Sequence, residues 1–241
     1  MRKQIESSTV KLFTKIHKAQ FEKQIFFRFS NALSTEYLGL NKNFFYDKVC
    51  LDAASGLNAN ATVNMLNLGA KHIHLFDINK NILKVTKNFL IKKFPKSKFT
   101  IKKSNLLKID YPDNYFDFVH CSGSIHHTVD YKKSVKELCR VTKNGGLLYF
   151  NYYGKGGIVK EVVDFLKTKY KKDFRFKKFI KRLDKNTFNE IISFIKSQNA
   201  KYKINKFSNS EYKNFKKYFD HDSILSIKDM IQAPLYKQIE Y

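Results

Sequence analysis

At 241 residues, with 43% hydrophobic and 15% aromatic residues, the chain has the length and apolar content of one α/β domain with a small addition, and it is too aromatic for a disordered segment. Its net charge of +25 would suit a polyanion, but only five of the 46 basic residues are arginine (Arg2, Arg28, Arg140, Arg175 and Arg182), the residue best made for bidentate phosphate recognition. The charge therefore reads as a lysine-covered surface, with nucleic acid a possible but disfavoured partner.

Residues 1–46 read as helices with aromatic faces, carrying Val10, Leu12, Phe13 and Ile16 and then Phe21, Ile25, Phe26 and Phe29. They form either a packing layer or a lid. From residue 47 the pattern alternates: strands are expected over 48–52, 72–76, 98–102, 115–121 and 146–152, with helices near 58–68, 79–93 and 131–142. That alternation implies the α/β class, with a Rossmann-like, doubly wound, mostly parallel sheet covered by helices on both faces. Gly145-Gly146 marks a sharp turn into the fifth strand.

The core is expected over 47–153, and Gly154-Lys155-Gly156-Gly157 opens a helical C-terminal extension over 154–241. Its first helix carries Ile158, Val162, Val163, Phe165 and Leu166, and residues 167–183 interleave lysines with Tyr170, Phe174, Phe176 and Phe179. Thr187-Phe188-Asn189-Glu190 has capping-box spacing and opens another helix, with Ile191, Ile192, Phe194 and Ile195 on its face. Lys201 to Phe207 could be a sixth strand; no clear seventh follows.

Cys50, Cys121 and Cys139 have no metal spacing and read as reduced core thiols of a cytoplasmic protein. The basic N-terminus is not followed by an apolar region of about 7–15 residues, so no signal peptide is expected. Nor does any apolar run approach the roughly 18 residues of a membrane span. His72 and His74 share a strand face, but no cysteine or acid nearby completes a metal site, and no metal is expected.

The run Val49-Cys50-Leu51-Asp52-Ala53-Ala54-Ser55-Gly56 is an apolar strand ending in an acid and a small-residue turn. His72-Ile73-His74-Leu75-Phe76-Asp77 ends a second strand in another acid. A ligand across the carboxyl ends of parallel strands needs close backbone approach at the first turn, which Ala53, Ala54, Ser55 and Gly56 permit. A dinucleotide fold would place a Gly-x-Gly-x-x-Gly turn here for a pyrophosphate. Asp52 would repel that group and favour a cationic ligand carrying an ammonium and a sulfonium, which points to S-adenosylmethionine. Asp77 is placed to accept both ribose hydroxyls.

These stretches resemble the first two motifs of class I S-adenosylmethionine-dependent methyltransferases. Lys103-Ser104-Asn105-Leu106 resembles the adenine-contacting motif, and Asn114 to Val119 the fourth-strand motif. Ser122 to Thr128 resembles the turn that follows, and Glu137 to Gly146 the helix and turn before strand five. The likeness runs in order from about 44 to 153. It is similar to the methyltransferase-11, small-molecule type. Ala54 and Asn58 stand where that family usually has glycine, and Asn144 where it has proline.

The resemblance implies that Asp52 reaches the methionine amino group, directly or through water, and that Ala53 to Gly56 pass beneath the methionine portion. Asp77 would hold the ribose, Ile78 the adenine face, Asn105 and Leu106 the adenine edge, and Ser122 would lie near the methionine portion. His126 and His127, after strand four, are candidates to take a proton from the acceptor or orient it. Acceptor-pocket walls are sought in Phe29, Tyr37, Tyr152, Tyr153 and the 154–198 helices. The implied activity is methyl transfer by in-line displacement to an O, N or C nucleophile of a small molecule. An RNA- or protein-directed enzyme using Lys167 to Arg182, and a non-catalytic protein that kept the fold, are the alternatives.

Overall fold

A computed structural model describes residues 2–22, 34–36, 38–57, 59–152 and 157–183, together with Asn186, Ser193, Ser197, Ile231 and Gln232. The chain divides into two compact units, Met1–Lys155 with Pro234–Tyr241, and Gly156–Ala233. The first opens with α1 (Arg2–Glu22); residues 23–33 lie outside the described residues, and the described residues over 35–47 form turns rather than more helix. Then come β1 (Val49–Ala53), α2 (Asn60–Asn67), β2 (His72–Asp77), α3 (Lys80–Lys93), β3 (Phe99–Lys103), β4 (Phe116–Ser122), α4 (Tyr131–Val141) and β5 (Thr142–Asn151). The second unit contains α5 (Gly157–Lys172) and α6 (Phe174–Arg182).

The sheet is parallel throughout, in the order β3-β2-β1-β4-β5. The chain returns across β1 to form β4, so the strand order reverses there, and the β1 and β4 carboxyl ends flank the crevice where ligands bind in doubly wound folds. Both faces are covered. Cys50, Ile73, Leu75 and Phe118 pack with Ala61, Val63 and Met65 of α2 and Leu90 of α3. Leu51, Ala53, Phe76, Val119 and Cys121 pack with Leu138 and Val141 of α4. Successive strand residues thus serve opposite layers, and buried parallel strands read in sequence as short apolar runs. Phe45 sets its ring edge-on to Phe118 at 5.0 Å, closing the first layer near the start of β1.

Asp117 fixes β1 to β4 from below: its carboxylate accepts the Val49 N–H and the Lys143 ammonium, each at 2.8 Å. Partial burial works against its ionised form, but Lys143 and the Val49 N–H outweigh that and hold the carboxyl below its ordinary range.

Two expectations change here. The fifth strand begins at Thr142, before the glycines, and bulges between the pairs Phe116↔Thr142 and Phe118↔Leu147. Gly145 has φ +75°, and a Cβ on Gly146 would stand 3.0 Å from the Asp117 carbonyl oxygen, so the glycines form the bulge rather than a turn ahead of the strand. Cys139 is exposed on α4, whereas Cys50 and Cys121 are core thiols. Burial pushes the Cys50 thiol up to about 12. The segments 187–195, apart from Ser193, and 201–207 lie outside the described residues.

Candidate functional site

The turn after β1 is tied down on several sides. The Ser55 N–H donates to the Phe76 carbonyl at 3.0 Å, and the Gly56 N–H to Asp77 Oδ2 at 3.2 Å, so the tip of β2 holds the turn directly. From α3, the Thr86 hydroxyl donates to the Leu57 carbonyl at 2.7 Å. The other Asp77 oxygen accepts the Asn79 N–H at 2.9 Å, while Asn79 caps α3 by accepting from Asn81 and Ile82. The capping is therefore done by Asn79, and Asp77 links the helix entry to the first turn.

Asp52 is 1% exposed. Its Oδ2 accepts the Thr62 N–H at 3.1 Å and the Thr62 hydroxyl at 2.7 Å, and Oδ1 lies 3.0 Å from His120 Nδ1. The expectation that Asp52 touches the ligand's amino group meets a carboxylate already engaged by three donors. Its work in this arrangement is to clamp the start of α2 beneath the turn.

The glycine departures also have a geometric content. Ala54 has φ +55°, a left-handed conformation that costs an L-residue roughly 1–2 kcal/mol, so alanine occupies a position where glycine would be unstrained. Ala59, just before α2, has φ +42° and provides no side-chain cap. Asn58 lies outside the described residues.

Around the adenine-side motif, the Asn105 amide is committed: its Oδ1 accepts the Leu107 N–H at 2.9 Å, and its Nδ2 donates to Glu6 at 3.3 Å. Leu106 is buried in the α4-side layer, and Ile78 and Ser122 are half-buried at the strand ends. His126 and His127 sit in a short 3-10 helix after β4, both buried, with ring centroids 4.1 Å apart. Phe13 of α1 meets His127 edge-on at 5.1 Å, and Thr14 accepts the Asn79 side-chain N–H at 2.6 Å. Glu6, Thr14 and Phe13 thus reach three different strand ends from one helix. Tyr152 stacks on Phe150 at 5.8 Å and packs in the core; Phe29, Tyr37 and Tyr153 lie outside the described residues.

Sequence reasoning passed over His120, Thr62 and Thr86. The available signal was topological: once β4 is placed beside β1, Asp52 and His120 fall opposite one another. The strand histidines have local partners: His72 Nδ1 lies 2.8 Å from the Ser97 carbonyl, and His74 Nδ1 lies 3.1 Å from the Tyr111 hydroxyl. Burial, with His72 and Lys102 nearby, lowers the His74 pKa to about 4, so its ring is neutral near pH 7.

The family model described as a methyltransferase domain matches residues 51–150, which contain all of this edge except α1. Residues 51–150 are a class I S-adenosylmethionine-dependent methyltransferase domain. Over 110 residues the chain is 33% identical to the ubiquinone/menaquinone biosynthesis C-methyltransferase UbiE of Francisella philomiragia, covering 45% of this chain and 44% of that protein. It is 30% identical over 84 residues to the Vibrio cholerae protein of the same name, covering 35% and 32%. The match thus spans less than half the length of these curated relatives. The fold is similar to that of a protein designated a sarcosine dimethylglycine methyltransferase from Galdieria sulphuraria, with TM-score 0.51 and 22% identity over 60% of this chain and 53% of the other.

The methyltransferase domain's residues fit the cofactor its family uses. Gly56 has φ +64° and no described residue within 4 Å of where a Cβ would stand, so the backbone offers a bare surface at the turn. Beside it, the Ser55 hydroxyl is buried with no hydrogen-bond partner among the described residues, a polar group suited to a polar ligand. Asp77 supplies a carboxylate at the β2 tip. Among the described residues no group of His, Cys, Asp and Glu could hold a metal ion, and no helix is long and apolar enough to cross a membrane.

Proposed function

We propose that this chain is an S-adenosylmethionine-dependent methyltransferase acting on a small-molecule acceptor. The observation that carries the reading is the junction of Gly56 with Asp77 at the β1 and β2 ends, a bare backbone turn beside a carboxylate. When bound, the cofactor supplies a methyl group on a sulfonium, a leaving group that needs no further activation. Asp77 accepts the ribose hydroxyls, exchanging its hold on Gly56 for the ligand. The Ser55 hydroxyl and the backbone over Ala53, Ala54 and Gly56 hold the methionine portion, with Ser122 facing them across the crevice. Ile78, Asn105 and Leu106 border the adenine. Asn105 is locked by Leu107 and Glu6, so it shapes that edge rather than reaching into it.

The chain's remaining task is to position the nucleophile and exclude water. The N-terminal helix serves as the lid over this edge, with Phe13 against His127. His127, at 9% the more exposed of the two histidines, takes a proton from the acceptor where one must leave, and His126, at 1%, packs behind it. Among O, N and C nucleophiles, the relatives' names as C-methyltransferases favour carbon.

Transfer of labelled methyl from S-adenosylmethionine into a fractionated extract tests this reading. Label in the small-molecule fraction is expected. Label in RNA or protein would transfer the activity to the basic segment Lys167 to Arg182, and no label in any fraction would leave a non-catalytic binding protein.

A further inference from the structure

We propose that His120 is a positioning residue for the cofactor turn, acting through Asp52. The inference rests on the cofactor reading above. Asp52, His120 and Tyr149 lie side by side on β1, β4 and β5 and face the α2 side of the sheet. The His120 ring is stacked on Tyr149, with centroids 5.5 Å apart and planes within 3° of parallel, which fixes its orientation. Its Nδ1 lies 3.0 Å from Asp52 Oδ1, and the side chains of the two residues are 12% and 2% exposed.

An ionised carboxylate only accepts, so Nδ1 carries the hydrogen and donates it. The opposite oxygen is held by the Thr62 N–H and hydroxyl. One carboxylate therefore closes the loop from the end of β1 to the start of α2, and the cofactor turn is the segment inside that loop. His120 sets the rotation of the carboxylate about its own side chain. Without its donor, Oδ1 is buried and unsatisfied, and the clamp on Thr62 can turn away. The Asp77 contact to Gly56 restrains the other side of the turn, but a ribose would compete for that carboxylate. The His120 strut stays in place when the ligand arrives.

Three variants separate donation from packing. His120→Asn places an amide N–H near the position of Nδ1. His120→Phe keeps a ring against Tyr149 and has no donor. His120→Gln carries its amide near the position of Nε2, away from Asp52. Binding of S-adenosylhomocysteine by calorimetry is expected to weaken roughly tenfold in His120→Phe and His120→Gln and to stay within about twofold of wild type in His120→Asn. A packing role would give the reverse order, with His120→Phe closest to wild type, and that order overturns the proposal. Should His120→Phe fail to fold, wild-type affinity in His120→Gln overturns it equally.

Amide hydrogen exchange at Gly56 and Thr62 without ligand supplies a second readout. Exchange is expected to be faster in His120→Phe than in wild type and His120→Asn, and equal rates in all three overturn the proposal. Absence of binding by the wild-type protein would instead overturn the cofactor reading, leaving His120 to be judged on exchange alone.

Discussion

The backbone N–H of Gly56 donates to the carboxylate of Asp77 at 3.2 Å, joining two residues 21 positions apart in sequence. The contact sits just beyond the carboxyl ends of β1 and β2, and it restrains both partners: the turn is tied to the β2 tip, and the carboxylate also accepts the Asn79 N–H. A ligand that takes up Asp77 must replace the Gly56 hydrogen bond, so the turn and the acid respond to the cofactor together.

Strain in the same turn gives the first expectation. Ala54 has φ +55°, a conformation costing an alanine roughly 1–2 kcal/mol, against roughly 0.5–1 kcal/mol for the extra chain entropy of glycine. Ala54→Gly should therefore stabilise the fold by about 0.5–1 kcal/mol and raise the melting temperature by about 1–4 °C. Thermal unfolding by circular dichroism measures it; a lower melting temperature would mean that the alanine methyl packs better than the backbone is strained.

Arg140 anchors the opposite edge of the sheet. It donates to both Glu137 oxygens, to the carbonyls of Ile109 and Tyr111, and to Asp113, all within 2.7–3.0 Å. Glu137 also accepts the Ile109 N–H at 2.7 Å, so the pair fastens the chain leading into β4 to α4. Arg140→Met should destabilise by about 2 kcal/mol, since two carbonyls and two carboxylates lose charged donors while partial exposure softens the loss. A change under about 0.5 kcal/mol in urea unfolding would remove the anchor.

The same pair makes stability depend on pH. Arg140, aided by the Ile109 N–H against some burial, holds the Glu137 carboxyl below its ordinary range. A depressed carboxyl adds stability above its unfolded value of about 4.3, and that stability is lost as pH falls from there through the folded value. The gap in melting temperature between wild type and Glu137→Gln should be full near about pH 6 and shrink on acidification below about pH 4.3. A gap that does not change with pH would assign Glu137 a neutral hydrogen-bonding role.

His127 packs edge-on against Phe13, so removing its ring would mix packing with proton transfer. His127→Phe keeps the ring contact and removes the nitrogens. It should leave S-adenosylhomocysteine affinity unchanged and slow methyl transfer by at least about tenfold. Wild-type turnover would make His127 a packing residue against α1.

Much of this architecture can be read from the chain because buried parallel strands are short apolar runs, and β1 to β4 fall within a residue or two of where those runs predict them. The tips of β1 and β2 were equally visible, since Asp52 and Asp77 each end an apolar run. What Asp52 does was not visible: His120 lies 68 residues away and becomes a neighbour only through the strand order, and Thr62, 10 residues on, meets Asp52 only once α2 packs back against β1. Cys139 reads as a core thiol from residue type and the lack of metal spacing, yet it is exposed on α4. The strain at Ala54 depends on a dihedral angle, which residue type alone does not fix.

Calorimetric titration of S-adenosylmethionine into wild type and Asp77→Ala tests the central reading most directly. Saturable one-site binding by the wild type is expected, weakened at least about tenfold, or about 1.4 kcal/mol, in Asp77→Ala. No heat at high protein concentration, or equal affinity in both proteins, would contradict the placement of the cofactor at the Gly56–Asp77 junction.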